Sequence, residues 1–495
     1  DDCVATIDTG RVKTMYYNSK DNTTKLTETF VSRAEAKQRR GRAGRVREGY
    51  SYKLFSKNLY EQQMVELPTP EIKRVGLESL YLSVKSMGIK DVLKFLSTGL
   101  DPPPLKSLQK SEQILTTVGL LHESDKSLTE LGRFISLMPV MDSKHGKLLI
   151  YSIIFGCTDL GVLIASILSI GAMPFVGTFD NRDKIKQLLS QYKSRGDLLA
   201  VVEIVRQYLR IEDNSKKRKF MNENMLSYTK MKDILSSRTQ YFSILEDVGF
   251  LPMRYKPGTS KYLNRNENNI EIIKCILTGA FYPQVARVQL PDPKFMATSA
   301  GAIEKDPEAK STKYWIRNEE YIDKVYETGN NAEIGNDTLP STRAFLHPSS
   351  VLFSNNIGDI AAATEDQADE EKAMIKKVTS SPLKSSFVVY NTLQLTSKLY
   401  LRDLTPTSTL ALLLFGGSIK YDMNSSAYSP GIVVDNWLPI RTWCKNGVLI
   451  KELRYLLDQV IREKLENPDY TSNSSETSHD GDDVLKIVED IIQKE

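Results

Sequence analysis

The chain has 495 residues, 40% of them hydrophobic and 26% charged, which is typical of a soluble protein long enough for several domains. Its net charge is only +4, which excludes strong attraction of an anionic partner by the overall charge and leaves local clusters as the source of any such affinity. Clusters of both signs exist: residues 1–55 carry twelve Lys or Arg against seven Asp or Glu, and residues 465–495 carry nine acids against two bases.

The cysteines and histidines are scattered along the chain, which argues against a zinc site and indicates free thiols in a reducing compartment. The four cysteines are Cys3, Cys157, Cys275 and Cys444. We expect a cytoplasmic protein, with the nucleus as the second choice, and we assign no metal ligand. Residues 160–179 form an uncharged run as long as a membrane span, but Gly171 and Pro174 interrupt it and no polybasic flank orients it. We therefore predict a buried core helix and no membrane contact.

The first elements are predicted to be a strand, a hairpin, a helix and a second strand. Residues 1–10, DDCVATIDTG, read as a strand with nothing before it to pair with, so we expect the sequence to begin inside a domain. Residues 12–30 contain two β-prone runs joined by a polar loop, which predicts a hairpin. Ser32 and Glu35 have the spacing of a capping box at a helix N-terminus, and Gly49 is expected to end that helix.

The run QRRGRAGR at residues 38–45 is the most unusual feature of the predicted helix. On a continuous helix Gln38, Arg42 and Arg45 fall at positions i, i+4 and i+7 and share one face. Each glycine of the run costs about 1 kcal/mol relative to alanine in a helix interior, and a generic basic helix has no reason to carry two. Two guanidinium groups and an amide beside bare backbone suit a polyphosphate. The alternative is an arginine-rich surface helix that serves as a localisation signal or RNA-binding tract.

The rest of the chain contains three further segments that differ in predicted secondary structure. Short helices and a two-stranded element at residues 56–140 predict a winged-helix unit, and residues 141–251 are almost wholly helical by apolar spacing. Residues 252–440 contain β-rich runs that predict a small barrel, interrupted by polar and acidic insertions such as residues 363–377. Residues 441–495 contain an amphipathic helix followed by an acidic tail.

QRRGRAGR resembles motif VI of the DEAH-box/RNA helicase A family of superfamily-2 helicases, whose pattern is Q-R-x-G-R-A-G-R. IDTG at residues 7–10 is similar to the strand after motif V of that family, and Asp1 stands where that motif's closing aspartate belongs. RGDLLAVVEIVRQYL and FMNENMLSYTKMKDILSSRTQ resemble the family's ratchet domain, and LHPSSVLF and YNTLQLTSKLYLRDLT resemble its oligonucleotide-binding fold. The matches keep the family's order from Asp1 to about Gly417.

The resemblance implies a multidomain α+β chain. Its parts would be the end of a second RecA-like α/β lobe with a hairpin (1–55), a winged-helix domain (56–140), a helical ratchet bundle (141–251), an OB-fold β-barrel with insertions (252–440), and a C-terminal helix with an acidic tail (441–495). Neither G-x-x-x-x-G-K-[ST] nor D-E-A-H occurs in the 495 residues. The first RecA-like domain, with the phosphate loop and the magnesium ligands, is therefore expected to lie outside this chain.

For the nucleotide, the resemblance implies ATP with Mg²⁺ bound between two RecA-like domains. Arg42 and Arg45 would be arginine fingers on the γ-phosphoryl group, and Gln38 would orient the attacking water or that phosphate. Asp1 would contact the ribose, and Gly44 would let the nucleotide approach the backbone. The other two arginines of the run, Arg39 and Arg40, are left with supporting salt bridges.

For RNA, four residues of the predicted barrel are expected to contact the backbone: Thr396, Ser397, Lys398 and Arg402. Such contacts bind RNA independently of its sequence. The alternative is that these are ordinary exposed barrel residues. Residues 12–30 would lie against the duplex junction or the bases, or would be a plain connecting hairpin. Tyr400 is a candidate for base stacking but is more readily a core residue, and His347 is expected to be a structural hydrogen-bonding residue.

Asp197 is predicted to cap or pack a helix and to take no part in chemistry. The function implied is that of an ATP-dependent RNA helicase that moves 3′ to 5′ on single-stranded RNA and unwinds duplexes, with this chain inactive on its own. The alternative is an RNA- or protein-binding module without enzymatic activity. Single-stranded or partly structured RNA is the expected partner, and the acidic insertions and tail are the expected places for protein partners.

Overall fold

The computed structural model describes residues 3–139, 142–171, 173–178, 181–292, 294–298, 301–305, 311–328, 339–353, 385–396, 398–422, 431–466 and 480–494. The chain divides into two compact units. The first consists of the residues up to 114 together with residues 394–396, and the second of the rest. The predictions for Asp1, for Ser397 and for the insertion at residues 363–377 lie outside the described residues.

The first unit combines a two-stranded parallel sheet, a hairpin and short helices. Its elements are β1 (Ala5–Asp8), β2 (Arg11–Asn18), β3 (Thr23–Phe30), α1 (Arg33–Arg40), β4 (Tyr50–Lys53), α2 (Lys57–Gln62), α3 (Glu78–Ser86), α4 (Val92–Ser97) and α5 (Leu105–Thr117), within which the unit boundary falls. Strands β1 and β4 pair in parallel, and β2 and β3 pair antiparallel along their whole length. The predicted hairpin is therefore confirmed.

The hairpin loop has four residues, because β2 ends at Asn18 and β3 begins at Thr23. Asn22 has a φ of 50°, a left-handed conformation that asparagine tolerates. The Tyr17 hydroxyl donates a hydrogen bond to Oδ1 of Asn22 at 3.0 Å, and the Thr23 hydroxyl donates one to Oδ1 of Asp21 at 2.7 Å. These local bonds close the turn.

The second unit begins with a helical block, as predicted for residues 141–251. Helix α6 (Glu130–Leu137) precedes this range, and the helices within it are α7 (Ser143–Ile154), α8 (Thr158–Ser169), α9 (Arg182–Ser190), α10 (Gly196–Arg210), α11 (Asn214–Glu223) and α12 (Tyr228–Asp247). Helix α8 covers the first half of the uncharged run at residues 160–179, and it is buried from Thr158 to Leu168 against α7 and α12. The prediction of a buried core helix is confirmed. Among the described helices none is both long and apolar enough to cross a bilayer.

Five strands after α13 (Ile270–Phe281) form a sheet whose pairings return to their starting strand. They are β5 (Val285–Gln289), β8 (Lys313–Arg317), β9 (Ser341–Leu346), β10 (Phe387–Leu395) and β11 (Leu399–Thr407). The pairing order is β11-β9-β8-β5-β10, and β10 also pairs with β11. Strands β9 and β11 run parallel, whereas β5 is antiparallel to both β8 and β10.

Other elements of the second unit flank this sheet. They are the hairpin β6 (Lys294–Thr298) and β7 (Gly301–Lys305), α14 (Glu319–Thr328), α15 (Thr409–Phe415), and a three-stranded sheet of β12 (Ile419–Asp422), β13 (Gly431–Val434) and β14 (Leu438–Arg441). The two-stranded element expected near residue 121 is only a single antiparallel bridge between Leu121 and Leu128.

The C-terminal region corrects one prediction. The amphipathic helix is present as α16 (Cys444–Glu466), but the acidic tail contains a further helix, α17 (Asp480–Lys494). Leu485, Val488 and Ile492 of α17 are each at most 2% exposed, and Glu489 forms a 2.8 Å ion pair with Arg265. Apolar residues at helical spacing within an acidic stretch are enough to bury one face of this helix.

Candidate functional site

Helix α1 leads into the arginine run and starts as the sequence predicted. The Ser32 hydroxyl accepts a hydrogen bond from the Glu35 backbone N–H at 3.1 Å, and Oε2 of Glu35 accepts one from the Ser32 N–H at 2.7 Å. Both halves of the capping box are therefore formed. Behind it, Val31, Ala36 and Met64 form a buried cluster that holds the start of α1 in the unit.

The helix does not continue to Gly49 as predicted, because α1 ends at Arg40 and Gly41 is its C-cap. The backbone then forms tight turns, in which the N–H of Arg42 bonds to the carbonyl of Arg39 and the N–H of Ala43 to that of Arg40, both at 3.2 Å. The prediction that the amide and the two arginines share one helical face is wrong. The two glycines of the run, whose low helix propensity favours an early end, supply the physical reason.

The three predicted catalytic side chains nevertheless all lie at the surface. Gln38 is exposed at the end of α1, and Arg42 and Arg45 are exposed in the turns that follow. A Cβ added to Gly44 would meet nothing within 4 Å, so the space beside this backbone is open. Ala43, between the two arginines, is only 3% exposed and packs the turn onto the unit. The turn presents charge outward while its middle residue anchors it.

Arg39 ties this turn to the end of β1 and the start of β2. Its Nη1 lies 2.8 Å from Oδ1 of Asp8, whose side chain is 4% exposed, and its guanidinium also donates to the carbonyl of Arg11. The same Asp8 oxygen accepts a hydrogen bond from the Gly10 N–H at 2.9 Å. The supporting salt bridge expected for Arg39 is confirmed, and it fixes the residue three positions before Arg42.

Gly49 lies at the end of the arginine segment, where the sequence alone did not reveal why glycine is needed. A Cβ at this position would lie 2.0 Å from the carbonyl oxygen of Ala43 and 2.7 Å from that of Val4. Both atoms belong to backbone, which cannot move aside as a flexible side chain can. The following residue, Tyr50, donates its N–H to the Val4 carbonyl at 2.8 Å and starts β4. Only glycine lets the arginine segment return this closely to the sheet.

The predicted RNA contacts lie around β11. Thr396 and Lys398 are exposed, and Nζ of Lys398 lies 4.5 Å from the ring centre of Phe345. Arg402 is half-buried, and its Nη2 lies 2.8 Å from Nε2 of His347. Lys398 and Arg402 thus belong to one strand region and have neighbours on β9.

His347 forms hydrogen bonds through both ring nitrogens, which confirms its predicted structural role. Its Nδ1 is 2.7 Å from the Ser349 hydroxyl, and its Nε2 faces Arg402. Burial and the Arg402 charge lower the pKa of His347. A neutral imidazole can accept a hydrogen bond from the guanidinium through Nε2.

Asp197, at the start of α10, is a buried structural anchor, as predicted. Its carboxylate accepts hydrogen bonds from the Ser350 hydroxyl at 3.0 Å, the Val351 N–H at 2.8 Å and the Leu404 N–H at 3.1 Å. Burial raises its pKa to about 6, against the lowering effect of these bonds. The anchor joins the helical block to the segment after β9 and to strand β11.

Two family models and several relatives match the chain. The oligonucleotide/oligosaccharide-binding (OB) fold matches residues 272–419, and the C-terminal domain in RNA helicases matches residues 431–494. The chain is 64% identical over 504 residues to "Putative ATP-dependent RNA helicase YLR419W" of Saccharomyces cerevisiae, covering 100% of this chain and 35% of that protein. It is 32% identical over 486 residues to "Putative DEAH-box ATP-dependent helicase UM11114" of Mycosarcoma maydis, covering 93% of this chain and 28% of that protein.

The chain belongs to the DEAH-box RNA helicase family. A human relative, "ATP-dependent RNA helicase DHX29", is 27% identical over 505 residues and aligns with 100% of this chain and 31% of its own length. The chain spans about a third of the length of these curated relatives. The family and the OB-fold part of the architecture, predicted from QRRGRAGR and the later motifs, are confirmed.

Proposed function

We propose that this helicase-family chain supplies one wall of an ATP site and part of the RNA-binding surface of an ATP-dependent RNA helicase. The observation that carries the proposal is the exposure of Gln38, Arg42 and Arg45 on a segment held from behind by the Arg39–Asp8 pair.

The donor set fits a triphosphate better than it fits a metal. Gln38, Arg42 and Arg45 offer N–H donors, and Gly44 leaves open space beside the backbone. When bound, ATP with Mg²⁺ supplies the reacting phosphoryl group and the metal charge that neutralises it. The magnesium ligands and phosphate loop would come from a lobe with G-x-x-x-x-G-K-[ST] and D-E-A-H runs, which these 495 residues do not contain.

Within this wall the residues would have distinct roles. Arg42 and Arg45 would donate hydrogen bonds to the oxygens on which negative charge develops, a contribution worth about 10³–10⁵ in rate in other nucleotide hydrolases. Gln38 would hold the attacking water or the γ-phosphate by its amide. Asp1, the expected ribose contact, lies outside the described residues.

The finer architecture is part of the proposal. The parallel β1–β4 pair supports the end of a RecA-like lobe at residues 1–55, and the short helices support a winged-helix domain at 56–140. The helical block supports a ratchet domain at 141–251. The closed series of pairings through β5, β8, β9, β11 and β10 supports a β-barrel within 252–440, and α16 and α17 form the region 441–495.

For RNA, Lys398 and Arg402 carry the charge expected to hold the backbone, and Thr396 would add a hydroxyl donor. Ser397, the second expected hydroxyl donor, lies outside the described residues. Movement 3′ to 5′, duplex unwinding and a cytoplasmic or nuclear location follow from the family likeness. Protein partners would bind the acidic insertions and the C-terminal region. The charged strand pair also favours a second candidate function, an RNA-binding module without hydrolysis.

The test is RNA-stimulated ATP hydrolysis by the full-length protein with Arg42→Ala. We expect hydrolysis to fall by at least about 10³-fold while RNA affinity stays within a factor of two or so, because the finger acts on phosphate charge. Arg40→Ala is the matched control, since Arg40 is an equally exposed arginine of the same run with no assigned contact to ATP. Equal hydrolysis by wild type and Arg42→Ala would leave the binding-module function standing.

A further inference from the structure

The outward face of β9 and β11 carries alternating basic and aromatic side chains. The two strands pair in parallel with Tyr400 opposite Phe345 and Leu401 opposite Leu346. On the inward face, Leu346 and Leu401 are 4% and 0% exposed, together with Ala344 at 1%. Because successive residues of a strand point to opposite faces, the alternate residues point outward. These are Arg343 and Phe345 on β9 with His347 directly after it, and Tyr400 and Arg402 on β11 with Lys398 directly before it.

The register arranges these six residues in three rows. Phe345 and Tyr400 form the middle row, with ring centres 6.5 Å apart. Continuing the register places Arg343 beside Lys398 in one outer row and His347 beside Arg402 in the other. The outer rows are four residues apart along the strands, or about 13 Å. An aromatic row thus lies between two cationic rows.

The contacts within the face hold these side chains in place. Nζ of Lys398 lies 4.5 Å and the guanidinium carbon of Arg343 5.0 Å from the ring centre of Phe345. The His347 and Tyr400 rings meet edge to face at 5.8 Å, and His347 holds Arg402. Nε of Arg402 has no hydrogen-bond acceptor within the described part of the chain. None of the six residues is acidic, so the face repels cations and attracts anions.

We infer that this face is a stacking platform for single-stranded RNA, on which Tyr400 and Phe345 contact a base while the two cationic rows contact phosphates on either side. The inference rests on the proposed RNA-binding function and extends it to Arg343, Phe345 and Tyr400. Aromatic rings interleaved with cations are what sequence-independent single-strand binding uses, since every base has a flat face and every nucleotide a phosphate.

The position differs from the usual binding face of an OB fold. That face is formed by the second and third strands of the fold, which here are β8 and β9 when the five strands are taken in chain order. The row of rings and cations instead crosses from β9 to β11, the third and fifth strands. The evidence for the platform is therefore the residues of β9 and β11 and not the usual binding face of an OB fold.

The experiment measures the affinity of the full-length protein for a uridine oligonucleotide and for the same oligonucleotide with abasic sites. With intact bases, Tyr400→Leu should weaken binding by about 5- to 150-fold, the range for losing one stacked base. Tyr400→Phe should keep wild-type affinity because it keeps the ring. On the abasic oligonucleotide, wild type and Tyr400→Leu should bind equally.

Tyr421→Leu is the matched control, because Tyr421 is an exposed aromatic residue of β12 with Lys451 5.3 Å from its ring centre. It should bind both oligonucleotides as wild type does. Lys398→Ala should reduce the slope of log affinity against log salt by about one, as expected for one phosphate contact.

The outcomes separate this inference from the function on which it rests. If wild type and Tyr400→Leu bind the uridine oligonucleotide equally well, the stacking platform is wrong. The face would then be a site for a protein partner, and the proposed function would stand. If wild type binds no RNA, the proposed function itself fails. A loss in Tyr400→Leu that is as large on abasic RNA would also overturn stacking, since it would reflect damage to the fold.

Discussion

The arginine segment after α1 and the β9–β11 face both present cations, but different kinds of backbone structure hold them in place. On β9–β11 the outward basic and aromatic residues alternate with buried ones such as Ala344 and Leu401, and the buried carboxylate of Asp197 accepts hydrogen bonds from the segment after β9 and from β11. The arginine segment is a series of turns fixed by the Arg39–Asp8 pair and by buried Ala43. A sheet face suits uniform binding of a ligand, whereas donors that a fixed turn holds in advance suit charge that develops during a reaction step.

Removing the anchor of the β9–β11 region should have the largest effect on stability. Asp197→Ala leaves three buried donors without their acceptor, and we expect the free energy of unfolding to fall by about 3 kcal/mol or more. Urea denaturation of the chain measures this. Asp213→Ala is the control, because Asp213 caps α11 at the surface through the Lys216 N–H and should cost about 1 kcal/mol. Equal losses in the two variants would contradict the anchor role.

The same carboxylate predicts a pH dependence. Its pKa is raised to about 6 in the folded chain and has its ordinary value of 3.8 when unfolded. Between these values only the folded chain holds the proton, so the free energy of unfolding falls as pH rises from about 4 to about 6 and changes little above that. The Asp197 contribution is about 2–3 kcal/mol. Asp197→Asn should flatten that part of the pH profile, and an unchanged profile would show that another group titrates.

In the arginine segment, Gly49→Ala tests the close approach of the chain to the backbone of Ala43 and Val4 before β4. We expect it to lower the free energy of unfolding by about 1–3 kcal/mol, because its Cβ meets backbone oxygens of Ala43 and Val4. Gly44→Ala, whose Cβ meets nothing within 4 Å, should leave stability within about 0.5 kcal/mol. Thermal unfolding of both variants makes the comparison, and a Gly44→Ala loss as large as that of Gly49→Ala would refute it.

The smallest expected effect is the coupling between Asp8 and Arg39. The Arg39 side chain is 38% exposed, so solvent weakens the pair, and we expect a coupling of about 1 kcal/mol from a double-mutant cycle of Asp8→Ala and Arg39→Ala. The same cycle on ATP hydrolysis should show the two variants losing activity without additivity, because each releases the same turn. Additive losses would mean that the pair does not position the turn.

Local patterns made much of the fold predictable. The capping box at Ser32, the hairpin, the helical block and the apolar α8 follow from periodicity and turn residues within short windows. The end of α1 was misjudged because two glycines were weighed as functional and not as a stop. Helix α17 was missed because acidic composition obscured the apolar spacing of Leu485, Val488 and Ile492.

Contacts between residues far apart in the chain could not be predicted from the sequence. The donors to Asp197 come from residues more than 150 positions away, and the need for glycine at position 49 arises where two distant backbones meet. Arg42 and Arg45 are exposed in turns and not on the continuous helix that the sequence predicted, and their roles towards ATP stay predictions. The alternation of Arg343, Phe345 and His347 was readable from the chain, but its pairing with β11 was not.

The most direct measurement is the affinity of the full-length protein for ADP with aluminium fluoride, which imitates the phosphoryl group in flight, relative to ADP alone. Wild type should bind ADP with aluminium fluoride much more tightly than ADP alone. In Arg42→Ala the ratio of the two affinities should fall by at least about 10²-fold, while the affinity for ADP alone is unchanged. If Arg42→Ala keeps the full preference, then the exposed arginines do not face a reacting nucleotide.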